Sequence, residues 1–242
     1  MELAVPSASA KSLTTLAFEQ LRADILSGQL RPEERLRIQG LSERYNIGAT
    51  AIREALSRLV TDGLVESEDQ RGFCVAPVSR DELIDLTQTR VEIECLALGH
   101  AIERGGLDWE SNLLSGFHRL SKTPPPTSPE LHAGWAAVHR QFHEALVAGC
   151  DSPWTMRLCR LLYDKSERYR NLAEQHTEPL QRDTITEHRE LMDAAMGRDG
   201  ILAARLLSAH FWETTEITLK AAFGGGRHAS KPRPATAKVG SR

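Results

Sequence analysis

The chain has 242 residues, enough for two domains that each bury a core, and its 40% hydrophobic and 26% charged content is that of an ordinary globular protein. No apolar run approaches the length of about 18 residues that a membrane span needs. The segment from Met1 to Phe18 lacks the basic start and apolar stretch of a secretory signal, so neither a span nor a leader is expected. Net charge is −3 but unevenly spread: five arginines (35, 37, 44, 53, 58) stand against two glutamates between Arg35 and Val60, and five basic residues and no acid lie from Gly224 onward. Residues 79–223 hold 22 acids against 16 bases. A small basic patch on an acidic body is compatible with DNA held on one face. Four cysteines without a CxxC pair suit a reducing cytoplasm better than a disulfide framework.

Residues 1–12 are expected to be a flexible start. "TTLAFEQLRADILSGQL" predicts a helix with an apolar stripe at Leu16, Ala17, Leu21, Ile25 and Leu26, capped by Thr14 or Thr15. Pro32 breaks the pattern. A short helix follows in "QGLSERYNI", and "NIG" reads as a tight turn in which Asn46 and Gly48 can take positive φ. "ATAIREALSRLVTDG" is the next helix, with Ile52, Ala55, Leu56 and Leu59 on one side and Gly63 as its stop. "LVESEDQRGFCVAPV" reads as a β-hairpin around a polar tip. Three helices and a hairpin over residues 13–78 make a winged helix-turn-helix; a plain small α/β domain accounts less well for the short second helix and its turn.

From Ser79 onward strand signals stop, and helical patterns run at about 80–105, 108–122, 131–149, 151–175, 178–197 and 199–222. "KTPPPTSPE" is a stiff Pro-rich connection between two of them. The expected fold is mainly α: the winged module, then an all-helical bundle of six or seven helices over residues 79–223. A basic tail, residues 224–242, is low in apolar residues and expected to be disordered.

Arg53-Glu54-Ala55-Leu56, Gly63-Leu64-Val65 and Arg71-Gly72 occur in the order and spacing of a known signature, "REAL..L...GLV" followed by a wing ending in "RG..V". On these motifs the chain resembles the GntR family of bacterial transcription regulators. The helical remainder, whose first helix carries Arg90, Ile93 and Glu94 in an Arg-x-x-apolar-Glu pattern, resembles the FadR-type (FCD) effector domain of that family. Within the family, "FHEALVAGC" and the HxxxH before it look most like regulators of glutarate and 4-aminobutyrate catabolism.

The resemblance implies a helix from about Ala49 lying in the major groove of duplex DNA. Arg53 is the residue the family sets on DNA, its fork suited to a phosphate or a guanine edge; a solvated position beside Glu54 is the other reading. Thr50 donates to a phosphate at the helix start or serves only as its cap. Arg37 and Gln39 belong to the same expected interface, although Gln39 stands where some members have arginine, as does Ala49, which cannot make that contact. Gln70, Arg71 and Gly72 at the wing enter a minor groove or form a solvated tip. One winged domain offers few contacts, so a homodimer on a near-palindromic double-stranded operator is expected.

His139 and His143 sit four residues apart, neighbours on one helical face. His188 and His210 fall on two later helices, and the resemblance implies that His143, His188 and His210 bind a divalent metal. The family usually has Asp where this chain has His139. With imidazole there the ligand set favours zinc, nickel or another transition metal, unless His139 hydrogen-bonds an effector instead. Arg90 is expected to clamp a carboxylate of a small effector such as a dicarboxylate, or else to pair at the surface with Asp85 or Glu94. Arg168, Tyr169 and Asn171 are further candidate effector contacts. Arg140, Gln141 and Phe142 stand between the paired histidines, so the HExxH glutamate of a zinc hydrolase is missing. Neither a nucleophile elbow nor a phosphate-binding glycine loop occurs. The reading is therefore a ligand-responsive, cytoplasmic DNA-binding regulator, more a repressor than an activator. A purely metal-responsive regulator and a metal-dependent enzyme are the alternatives.

Overall fold

A computed structural model of the chain describes residues 12–68, 72–124, 129–174 and 182–224. The expectations for the first residues, the wing tip at Gln70 and Arg71, the prolines at 125 and 126 and the basic tail fall outside them. Among the described residues, helix α1 (Leu13–Leu26) is followed by β1 (Arg35–Leu36), α2 (Ile38–Tyr45), α3 (Ala49–Thr61), β2 (Val65–Glu68) and β3 (Gly72–Val75). Ser12, not Thr14 or Thr15, caps α1, its hydroxyl accepting from the Thr15 amide. Of the two turn residues, Asn46 takes the left-handed conformation (φ 53°) while Gly48 stays at −59°, because one reversal suffices to close the α2–α3 turn. Gly63 takes φ +62° after α3 and so ends it as the spacing predicts.

The hairpin gains a third strand that the apolar pattern did not announce. β1, two residues long, pairs antiparallel with β3 (Arg35 with Cys74, Leu36 with Phe73), giving the order β1-β3-β2. Two residues are too short for a readable alternation. The module closes on one core in which Leu21, Ile25, Leu36, Ile52, Leu56, Leu59 and Val75 are buried.

Six helices follow: α4 (Arg80–Arg104), α5 (Leu107–Lys122), α6 (Pro129–Ala148), α7 (Pro153–Glu174), α8 (Thr184–Met196) and α9 (Gly200–Phe223). Ser79 caps α4, and Asp81 and Glu82 complement its N-terminal dipole. Leu98, Trp109, Leu113, Phe142, Leu146, Leu191 and Phe211 pack into a second core. Gly105 and Gly149 let the backbone pass the Trp109 ring so closely that an added Cβ would lie 2.4 Å and 3.0 Å from it. A small third cluster of Leu83, Tyr169 and Leu219 joins the ends of α4, α7 and α9 near the winged module.

Leu56 is fully buried on α3, the helix that packs against α1 and β2. Leu56→Ala is expected to cost about 2–5 kcal/mol, read as a lower denaturation midpoint of the winged module.

Candidate metal centre and nucleic-acid interface

Helix α6 presents His139 and His143 one turn apart, and α8 and α9, which pack against each other, bring His188 and His210 to the same spot. The four candidate ligand nitrogens lie within 4.8 Å of one another. Three Nε2 atoms form a near-regular triangle: His139 to His188 is 3.1 Å, His139 to His143 3.2 Å and His143 to His188 3.3 Å. Nitrogens about 2.0–2.1 Å from one zinc ion in tetrahedral array stand about 3.3 Å apart, so the spacing fits ligands of a single metal.

The outer nitrogens explain why the inner ones are free. Nδ1 of His188 donates to the Thr184 carbonyl, and Nδ1 of His210 donates to the Glu187 carboxylate at 2.9 Å, which leaves each Nε2 as a lone pair. Nδ1 of His139 pairs with the Tyr163 hydroxyl at 2.9 Å, and its ring stacks on Trp135, centroids 4.6 Å apart. Nδ1 of His143 is buried and has no hydrogen-bond partner among the described residues. Arg182 grips both oxygens of Glu187 at 2.6 and 2.5 Å and so fixes the carboxylate beneath His210.

Burial pushes all four imidazoles below their ordinary pKa, His188 to about 3, with neighbouring histidines and arginines adding to the effect. They are neutral near pH 7, the state a metal requires. Burial pushes Glu187 up, but hydrogen bonds from His210 and Arg182 outweigh it and hold the carboxyl at about 2.

Arg90 is buried and not a surface residue. Its Nε donates to Glu94 at 2.7 Å, its guanidinium lies 3.9 Å from the Phe211 ring centre, and its Nη2 has no hydrogen-bond partner among the described residues. The three expected contacts on α7 are elsewhere. Arg168 donates to the carbonyls of Ala76 and Pro77, Tyr169 donates to Glu82, and Asn171 donates to the Leu26 carbonyl at 2.8 Å. Arg168 and Asn171 tie α7 to the winged module and Tyr169 ties it to the start of α4; none of these bonds involves the imidazoles. The residue between them, Arg170, does face inward: its guanidinium lies 4.9 Å from the Tyr163 ring and its charge bears on His139. Tyr163 and Arg170 are two helical turns apart and share a face. That spacing was readable in the sequence, whereas Trp135, Glu187 and Arg182 carried no signal beyond their position near a histidine.

On the winged module, Gln39 of α2 and Ala49, Thr50 and Arg53 of α3 are all exposed. Glu54 does not neutralise Arg53; it accepts from Thr14 at 3.1 Å. Thr50 is not the cap of α3, because Gly48 holds that position and no side chain caps the helix. Arg37 occupies the equivalent place before α2, and Gly72 opens β3 at φ +88°.

A winged helix-turn-helix joined to a helical bundle with a sealed imidazole cluster has the build of a DNA-binding regulator with a sensing domain. The description "Bacterial regulatory proteins, gntR family" matches residues 13–75, and "FCD domain" matches residues 85–212. The chain is 40% identical to the uncharacterized HTH-type transcriptional regulator BphR of Paraburkholderia xenovorans (strain LB400), over 88% of each chain. It is 35% identical to the HTH-type transcriptional repressor GlaR of Escherichia coli (strain K12), over 88% of this chain and 99% of the relative. The solved structure titled E. coli McbR/YncC has the same fold, with TM-score 0.73 and 22% identity over 87% of this chain and 99% of that one. The chain belongs to the GntR family of transcription regulators, with an FCD effector domain, and this is a family of DNA-binding regulators and not of enzymes.

The depressed histidines set a pH dependence. The unfolded chain takes up protons on these residues below about pH 6.5, while the folded chain does not until far lower. The metal-free protein is therefore expected to lose stability as pH falls from 7 towards 4, by up to about 1.4 kcal/mol per pH unit for each histidine. Thermal melting across that range checks it, and unchanged melting would contradict the sealed, neutral cluster.

Proposed function

We propose that this regulator is a dimeric, cytoplasmic repressor that a small carboxylate releases from a near-palindromic operator. His139, His143, His188 and His210 hold a divalent transition metal, zinc or nickel before magnesium, because four imidazoles and no carboxylate form the set. The observation that carries this is the triangle of Nε2 atoms at 3.1–3.3 Å, with two outer nitrogens anchored by acceptors. When bound, the metal supplies a positive anchor for one carboxylate oxygen. Arg90 offers its unpartnered Nη2 to another oxygen, and Arg170 adds positive charge from α7. The similarity to GlaR, a transcriptional repressor, supports the sign of regulation. On the DNA, Arg53 and Thr50 meet phosphate or base edges from the start of α3, with Arg37, Gln39 and the wing residues Gln70, Arg71 and Gly72 beside them.

A route from sensor to DNA module lies along α6 and α7. Arg140, next to His139, sits 4.6 Å from the centre of the Tyr163 ring and pairs with Glu167 at 2.6 Å and with Asp164. Asp164 also pairs with Arg22 on α1 of the winged module. A shift of the imidazoles, felt through Tyr163 and Arg140, thus moves a charge that holds α1. The completeness of the burial, with His188 only 1% exposed, favours a second reading in which the metal itself is the signal.

Calorimetric titration of metal-stripped protein with zinc, beside His188→Ala and Glu187→Gln, tests the site. The first variant is expected to lose more than about 100-fold in affinity and the second about 10- to 100-fold; equal affinity in all three removes the centre. Binding to DNA upstream of its own gene, with zinc alone and with zinc plus glutarate, separates the two readings. Asp164→Asn is expected to keep zinc affinity while the ligand-induced change in DNA affinity, typically about 5- to 150-fold, shrinks towards none.

A further inference from the structure

The short strand β1 does more than close the winged sheet. Leu36 is buried, so the alternation of an extended chain turns Arg35 and Arg37 to its other side. There they meet Arg53 of α3 around a cleft of about 370 Å3, completed by Leu36, Ile38, Gly72 and Phe73. All three arginines are exposed, and no hydrogen bond or ion pair to a described residue engages their guanidinium groups. The acids next to them in sequence are turned elsewhere: Glu34 accepts from the Arg31 amide at 2.9 Å and Glu54 from Thr14. At Gly72 no side chain fills the wing-side wall, and even a Cβ there would meet nothing within 4 Å. Three like charges converging on an open concavity repel one another, and an anion is what relieves that repulsion.

We propose that this cleft at the root of the wing takes a backbone phosphate of duplex DNA, clamped by Arg35, Arg37 and Arg53. Arg35 of β1 and Arg37, between β1 and α2, thereby supply the charge that Gln39 and Ala49 do not bring from the two helices. The inference rests on the DNA-binding reading and adds Arg35 to it. A phosphate contact fixes register and affinity without reading sequence, so its signature is a loss shared by every duplex together with a reduced salt dependence.

The test uses full-length protein and fluorescence anisotropy on two unrelated duplexes of about 30 base pairs, from about 50 to 300 mM KCl. Arg35→Ala and Arg37→Ala are each expected to weaken both duplexes by the same factor, on the order of 5- to 10-fold near 100 mM salt, and to lower the slope of log affinity against log salt by about 0.9 per lost contact. Arg35→Lys keeps most of that slope, and Arg119→Ala on α5 changes neither quantity. Where Arg35→Ala melts early, Arg35→Gln, which retains the aliphatic stem, decides. Unchanged affinity and slope in a folded Arg35 variant overturns the clamp. A loss confined to one duplex also overturns it, since that marks a base edge. If duplex binding persists but ignores metal and carboxylate, the sensing proposal fails and the clamp stands.

Discussion

Three neutral imidazoles turning their Nε2 atoms towards one point, away from water, is the constraint around which the bundle is organised. Neutral rings in a dry interior are held by hydrogen bonds on their outer nitrogens, and here the Thr184 carbonyl takes that of His188, the Tyr163 hydroxyl that of His139 and Glu187 that of the fourth ring, His210. The rings come from α6, α8 and α9 and the Tyr163 hydroxyl from α7, so the cluster ties these four helices together. Phe142, Leu146, Leu191 and Phe211 fill the space around the rings. A rotation of α8 by one residue would swing His188 about 100° away and leave its place to a neighbour of different chemistry.

Helix α7 joins this enclosed site to the winged module. Its inward row, Tyr163 and Arg170, meets the imidazole cluster, while Asp164, Lys165, Arg168 and Asn171 hold Arg22, the Gly63 carbonyl, the segment at Ala76 and Pro77 and the end of α1. Gly63 serves this junction twice. Its positive φ ends α3, and its missing side chain admits Lys165, whose Nζ would lie 2.8 Å from a Cβ at that position. Helix α3 is thus attached at its far end to the helix that carries Tyr163 against the imidazole cluster. Packed elements of this kind shift between discrete arrangements more readily than they deform.

The order of helices and the winged module were legible because their apolar spacing is long and regular, as at Ile52, Ala55, Leu56 and Leu59. The four histidines were legible because the resemblance assigned three of them and the i, i+4 spacing the fourth. β1 was not, since two residues carry no period. On α7 the sequence pointed to the right stretch and the wrong face: Arg168, Tyr169 and Asn171 bracket Arg170, and a helix separates consecutive residues by about 100°. Facing direction on a helix buried on two sides is decided by tertiary contacts that neither composition nor propensity encodes. Glu187 shows the same limit, because its partner His210 lies 23 residues away on another helix.

The charges around the imidazole cluster bear on what it would accept. Arg182 and Glu187 neutralise each other through two hydrogen bonds. Arg90 and Glu94 form a second pair, but a strained one: burial pushes the Glu94 carboxyl up against the pull of Arg90, and the guanidinium spends only its Nε on it. Arg170 then remains as positive charge bearing on His139, and a divalent ion among four neutral imidazoles would add two more. In a medium of low dielectric such an excess is costly unless an anion joins it. A carboxylate in place of His139 would supply part of that compensation from within the protein. Imidazole, stacked on Trp135, supplies none, and so leaves the compensation to a ligand of two negative charges more than to one of none.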